Sequence, residues 1–152
     1  MDIRIIVDGI KLNVRTGIML IQDDKILLHK NDNKDNYVLP GGGVHFLESS
    51  EEAIKREIKE ETGLDIIVEE CVSTIENLFE HDGIKFHEIY FIYKGRFAKD
   101  IDTSKIIENI EGKPIKYGFV PLDKIDDYYI LPVVTKDIIK NNTSHIINRE
   151  IK

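Results

Sequence analysis

Thiols, membrane-length apolar runs and clustered positive charge are all scarce in this chain. Its single cysteine, Cys71, rules out an internal disulfide and a cysteine-built zinc site. No apolar stretch approaches the roughly 20 residues that a membrane-spanning helix needs. The opening residues, MDIRIIVDGI, lack a signal-peptide layout, so a cytoplasmic location is expected. The 21 lysines and arginines are scattered among 28 acids, giving a formal net charge of −7. That balance is not one for gripping a nucleic-acid backbone, and no nucleic-acid partner is expected. His29, His45 and His81 show no HxH or HxxxH spacing of a metal site. No internal repeat or long linker interrupts the sequence, and 152 residues suit one domain, 1–152, with a core of its own.

What the chain does have is concentrated between Gly42 and Leu64. Ser49 to Thr62 are helix formers without an internal Gly or Pro, and Ser49 followed by Glu52 reads as a capping box. At about 100° per residue, Glu57 and Glu61 fall within the apolar arc of Ala53, Ile54 and Ile58, with Glu60 at its edge. Glu52, Lys55, Arg56 and Lys59 fall on the other side. An i,i+4 glutamate pair is destabilising by roughly 0.2–0.5 kcal/mol even in water. Burial raises that cost or forces a proton onto one carboxyl. A solvated acidic helix would instead place its acids opposite Ala53, Ile54 and Ile58. A hard divalent cation such as Mg²⁺ relieves the repulsion, because it takes carboxylate oxygens and keeps waters for a phosphate-bearing partner. Just upstream, Leu39-Pro40-Gly41-Gly42-Gly43 cannot be helix, and its glycines let the backbone pass close to a ligand.

The segment resembles the signature of the Nudix hydrolase family, Gly-x5-Glu-x7-Arg-Glu-U-x-Glu-Glu-x-Gly-U, with U a bulky aliphatic residue. Gly42, Glu48, Arg56, Glu57, Ile58, Glu60, Glu61, Gly63 and Leu64 fill every specified position across 23 residues. The resemblance implies that Glu57, Glu60 and Glu61, joined by the carbonyl of Gly41, hold Mg²⁺, with Mn²⁺ as a substitute. It implies that Glu48 and Arg56 brace the loop–helix unit through an ion pair. Many members carry Glu where this chain has His45 and Gly where it has Leu47. The fold implied is α/β, the Nudix-type αβα sandwich of a mixed β-sheet flanked by helices. Relatives of this kind often form homodimers.

The remaining sequence is compatible with that architecture. Residues 2–7 alternate as a strand, and Asp8-Gly9 is a hairpin signal. Strands follow at 11–21 and 25–29 around an Asp23-Asp24 turn, and a short one at 37–39. Beyond the helix, 66–78 and 85–95 read as two long strands around His81-Asp82-Gly83. Residues 98–113 are a helix or an irregular loop, 116–120 a strand ended by Pro121, and 122–127 a helical turn. A second helix is expected over 133–141, and the tail from Thr143 adds an edge strand or frays. Strands on both sides of a helix imply a mixed sheet covered on both faces.

Hydrolysis of a pyrophosphate link needs a water nucleophile, a proton acceptor and cations that neutralise the opening P–O bond. Glu60 and Glu61 are candidates for the acceptor. So is Glu88, an acid in an otherwise apolar strand, ahead of Glu108 and Glu111. Arg15 is a candidate phosphate contact, and Tyr37, Phe46 and Phe79 could stack on a base. The resemblance implies a nucleoside diphosphate linked to another group as substrate. The window read for subfamily, Phe79-Glu80-His81, carries neither the proline of ADP-ribose types nor the tyrosine of dinucleoside polyphosphate types. A nucleoside triphosphate or a nucleotide sugar is favoured. The alternative is a catalytically silent, Nudix-like nucleotide sensor.

Overall fold

A computed structural model describes residues 1–151. Ten strands form one sheet that divides into two wings. In chain order they are β1 (Arg4–Val7), β2 (Ile10–Gln22), β3 (Lys25–Asn31), β4 (Tyr37–Val38), β5 (Gly41–Gly43), β6 (Ile66–His81), β7 (Ile84–Phe97), β8 (Ile107–Glu108), β9 (Ile115–Pro121) and β10 (His145–Arg149). The larger wing runs β10-β6-β7-β2, with β1 and β5 also paired to β2; the smaller joins β3, β4, β8 and β9. Only two residue pairs, Ile21↔Ile26 and Gln22↔Lys25, hold β2 to β3. Upstream of them β2 leaves its hairpin partner and runs parallel to β7 from Ile10 to Leu20. The wings therefore part, and the cleft between them opens toward the glycines of β5.

One helix covers each face. The first, α1 (Ser50–Thr62), lays Ile54 and Ile58 on a cluster containing Ile18, Leu20, Leu27 and Tyr117. The second, α2 (Thr135–Asn141), inserts Ile138 into Met19, Ile26, Leu28, Ile75, Tyr90 and Ile92. Strand alternation sorts β2 between them, Ile18 and Leu20 to one side and Met19 to the other. The expected mixed sheet flanked by helices is the observed fold.

Two differences matter, at the glycines and at the start of the second helix. The three glycines are not loop: Gly41, Gly42 and Gly43 form β5, antiparallel to Gly17, Thr16 and Arg15. Residues 98–113 take the irregular one of their two expected forms, with β8 as the strand within it. The second helix starts at Thr135 rather than Val133. The tail supplies β10, which pairs in parallel with β6 at the sheet edge.

Candidate active site

The site is built on the start of α1. Ser49 accepts from the Glu52 amide while the Glu52 side chain accepts from the Ser49 amide, and Gly63 ends the helix at φ 75°. This fixes the axis along which Glu48, Arg56, Glu57, Glu60 and Glu61 are displayed. Glu48 receives Arg56 Nε at 2.7 Å and Nη2 at 2.9 Å, and the His45 amide at 3.0 Å. Nη2 also donates to the Gly43 carbonyl at 3.0 Å, tying β5 to the helix. The Arg56 hydrogen bonds hold the Glu48 carboxyl down at about 2, with burial opposing them and the His45 amide adding to them.

The remaining arm of Arg56 points at the other glutamates. Nη1 donates to Glu57 Oε1 at 3.0 Å and to Glu60 Oε2 at 3.2 Å. The wheel placed Arg56 away from the acids, but its long side chain returns across the helix and is only 21% exposed. The three acids differ sharply in depth. Glu61 is 6% exposed, the Glu57 side chain 12% and that of Glu60 47%. Glu60 thus rests at the rim, not on the inward flank.

Glu61 has a partner that sequence reasoning did not find. The fully buried Tyr117, on β9, donates its hydroxyl to Glu61 Oε2 at 2.7 Å. Burial pushes the Glu61 carboxyl up to about 7, Tyr117 pulls it back, and the Glu57 charge pushes it up again. His29 meets the Tyr117 ring edge-on at 5.5 Å, and its buried Nδ1 has no partner. Burial, with Arg15 and Lys34 nearby, lowers its pKa to about 4, so His29 is neutral at pH 7. Tyr117 carries no local sequence signal, since an aromatic in a strand reads simply as core.

The donor set suits a hard cation: carboxylate oxygens and backbone carbonyls, with no sulfur among them. Gly42 makes room for Glu57, because a Cβ there would lie 2.5 Å from Glu57 Cδ. The side chains are nevertheless turned onto protein partners. Among the described residues no three His, Cys, Asp or Glu side chains are gathered closely enough to hold a metal ion. Glu57 and Glu60 share a single nitrogen of Arg56, and Glu61 is held by Tyr117.

The parting wings enclose a cavity of about 230 Å³. Its lining includes Arg15 from β2, Asn77 and Phe79 from β6, Glu88 and Tyr90 from β7, and Lys34 and Asn36 from the β3–β4 loop. Arg15 stands at the junction. It is paired with Gly43 on one side and Tyr90 on the other, and its guanidinium lies 5.7 Å from the Tyr90 ring centre. Burial disfavours its charge, yet Glu88, Tyr90, Glu57 and Glu61 together raise its pKa. The acids of α1 and the cavity therefore share one electrostatic neighbourhood.

Of the other expected contacts, Phe79 and Glu88 line the cavity and Tyr37 does not. Tyr37 packs on the α2-side core and meets Tyr128 edge-on at 5.1 Å. Its neighbours Asn36 and Val38 face the cavity instead, as alternation requires. Phe46, Glu108 and Glu111 are exposed. Glu88 is on the cavity floor, with β2 between it and β5.

This arrangement has counterparts. The NUDIX domain family model matches residues 11–138. The chain belongs to the Nudix family. Members generally use divalent metals. Among solved structures, the MutT protein of Methanosarcina mazei superimposes with a TM-score of 0.65 at 22% identity, covering 90% of this chain and 96% of that one. Among curated proteins, an ADP-ribose pyrophosphatase of Methanocaldococcus jannaschii is 56% identical over 46 residues, 28% of this chain and 27% of the relative. An RNA pyrophosphohydrolase of Ectopseudomonas mendocina is 42% identical over 59 residues, 38% of this chain and 36% of the relative. The matched stretches thus span about a third or less of those relatives' lengths. Among the described residues no helix is long and apolar enough to cross a membrane.

Proposed function

We propose that this Nudix protein, acting as one unit over 1–152, is a metal-dependent pyrophosphohydrolase. Its substrate is a nucleoside diphosphate linked to another group, with a nucleoside triphosphate or nucleotide sugar favoured. The observation carrying this reading is the pair of deep glutamates, Glu57 and Glu61, whose charges reach Arg15 in the lining of the cavity. Membership of the family and the pyrophosphatase names of the two partial relatives support it.

Glu57, Glu60, Glu61 and the Gly41 carbonyl would hold Mg²⁺ or Mn²⁺. The bound cation supplies Lewis-acid polarisation and neutralises charge on the opening anhydride. Glu60 or Glu61 would take the proton of the attacking water. Arg15 binds phosphate oxygens at the junction of cavity and acids. Glu48 and Arg56 hold the helix start against β5, so that Glu57 stays beside Gly42. Glu88, the third candidate acceptor, lines the cavity, and its role is assigned to substrate binding.

The test is a product panel with Mg²⁺ across nucleoside triphosphates, nucleotide sugars and ADP-ribose. Turnover that drops by orders of magnitude in folded Glu61→Gln or Glu60→Gln is expected. Nucleotide binding without cleavage of any compound would favour the silent sensor.

A further inference from the structure

At one level of the larger wing, four adjacent strands carry a polar residue inside the apolar sheet. Asn13 pairs with Glu88, Glu88 with Asn77, and Asn77 with Asn148. All four are buried. Asn148 Nδ2 donates to Asn77 Oδ1 at 2.7 Å, which turns the Asn77 amide toward Glu88 Oε1, 3.4 Å away. No other hydrogen bond reaches the Glu88 carboxyl among the described residues and no cation lies within 4.0 Å, so only Arg15, in the same cavity, meets its charge at longer range, although the residue is 3% exposed. Asn13 Oδ1 is buried with no partner. Burying a carboxyl so poorly partnered costs stability that an apolar residue would not. It is also aimed into the cavity rather than into the core.

Part of the wall beside it is apolar, and Arg15, Lys34, Asn36, His81 and Glu150 supply the polar remainder. Its apolar part is Phe79, Tyr90, Val38, Leu131 and Pro132, with Phe79 held by Phe86, which stacks on it at 4.7 Å with the planes 4° apart. An acceptor-only carboxylate beside the Phe79 and Tyr90 rings selects a planar ring with neighbouring N–H donors on one edge. Among the common bases only guanine offers this, through N1–H beside its N2 amino group. Adenine and cytosine place a ring acceptor next to the amine, and uracil flanks its one N–H with two carbonyls.

We propose that Glu88 reads the base of the substrate, oriented by Asn77 and Asn148, and makes this cavity selective for guanine nucleotides. This rests on the reading above that the cavity receives the nucleotide, and it specifies which one. A buried acceptor left facing another acceptor is the source of the discrimination.

The experiment measures binding of guanosine, inosine, adenosine and uridine monophosphates to the intact wild-type protein by calorimetry without divalent metal. Guanosine monophosphate is expected to bind at least about tenfold tighter than the inosine compound, which lacks the N2 amine, and tighter still than the other two. In Glu88→Gln the guanosine advantage should vanish while adenosine monophosphate binds as before or better. Affinities within about threefold of one another in the wild type would overturn the proposal. So would a loss with 2′-deoxyguanosine monophosphate equal to that with inosine monophosphate, since the carboxylate would then be reading ribose. The wild-type series decides even if the variant fails to fold. Because no turnover is measured, guanine preference without hydrolysis would sink the enzyme reading alone. Hydrolysis without base preference would sink only this one.

Discussion

Tyr117 and Glu61, 56 residues apart in the chain, are joined by a 2.7 Å hydrogen bond from the phenol to the carboxylate. Through it β9, in the smaller wing, sets the position of the deepest acid on α1. Tyr117→Phe removes one donor to a charged acceptor, a loss of about 2 kcal/mol when Glu61 is ionised. The hydroxyl lowers the Glu61 pKa, so its removal raises it. The acid limb of the pH–rate profile should therefore move to higher pH in the variant. Destabilisation in urea should be larger at pH 8 than at pH 5. An unshifted limb would separate Tyr117 from the site.

Glu61 itself makes metal-free stability pH-dependent. Its folded pKa of about 7 lies above the 4.5 of a free glutamate. Stability gained by keeping it neutral is complete below 4.5 and lost as pH rises through about 7. Glu61→Gln stays neutral throughout. Its Tm relative to wild type, measured in chelator, should climb between pH 5 and pH 8. A constant difference would mean that Glu61 is not penalised by burial.

Arg56 is the hub of the loop–helix junction, with five hydrogen bonds from three of its nitrogens to four residues and an exposure of 21%. Lysine keeps the charge but not the fork. Arg56→Lys should cost about 2–3 kcal/mol of unfolding free energy and weaken metal activation together. Glu48→Gln should show most of the same loss. That loss should fade in the wild type as pH falls toward about 2, where Glu48 is protonated. Equal stability of Arg56→Lys and wild type in guanidinium titrations would contradict this.

Leu47 lies in the left-handed region at φ 64° and is fully exposed. Its place in the motif is one where glycine is common, and the backbone supplies the reason: a side chain there is strained by about 1–2 kcal/mol. Leu47→Gly should raise Tm by a few degrees, a gain of about 1 kcal/mol after glycine's extra unfolded-state freedom. A lowered Tm would show that Leu47 contributes contacts beyond its own strain.

Local signals were legible wherever one residue dictates one conformation. The capping box, Gly63, and the Asp8-Gly9, Asp23-Asp24 and Asp82-Gly83 turns all lie where their chemistry requires, each turn with positive φ at both residues. Glu88 was conspicuous as an acid between apolar neighbours, and it does line the cavity. Features decided by distant partners were not legible. Gly41 to Gly43 have no side chains to show alternation, and only their pairing with β2 makes them a strand. The reach of Arg56 depends on Glu48 and Gly43 folding back against α1, and the role of Tyr117 on β9 arriving beside Glu61. The face on which Tyr37 lies was not legible because β4 is two residues long, too short for a pattern to reveal its faces.

The central claim is that Glu57 and Glu61 are buried together to meet a cation. Mn²⁺ titration followed by electron paramagnetic resonance tests it without requiring turnover or a known substrate. Wild-type protein should bind Mn²⁺, and folded Glu57→Gln and Glu61→Gln should each bind it at least about tenfold more weakly. Unchanged Mn²⁺ affinity in both variants would contradict the account.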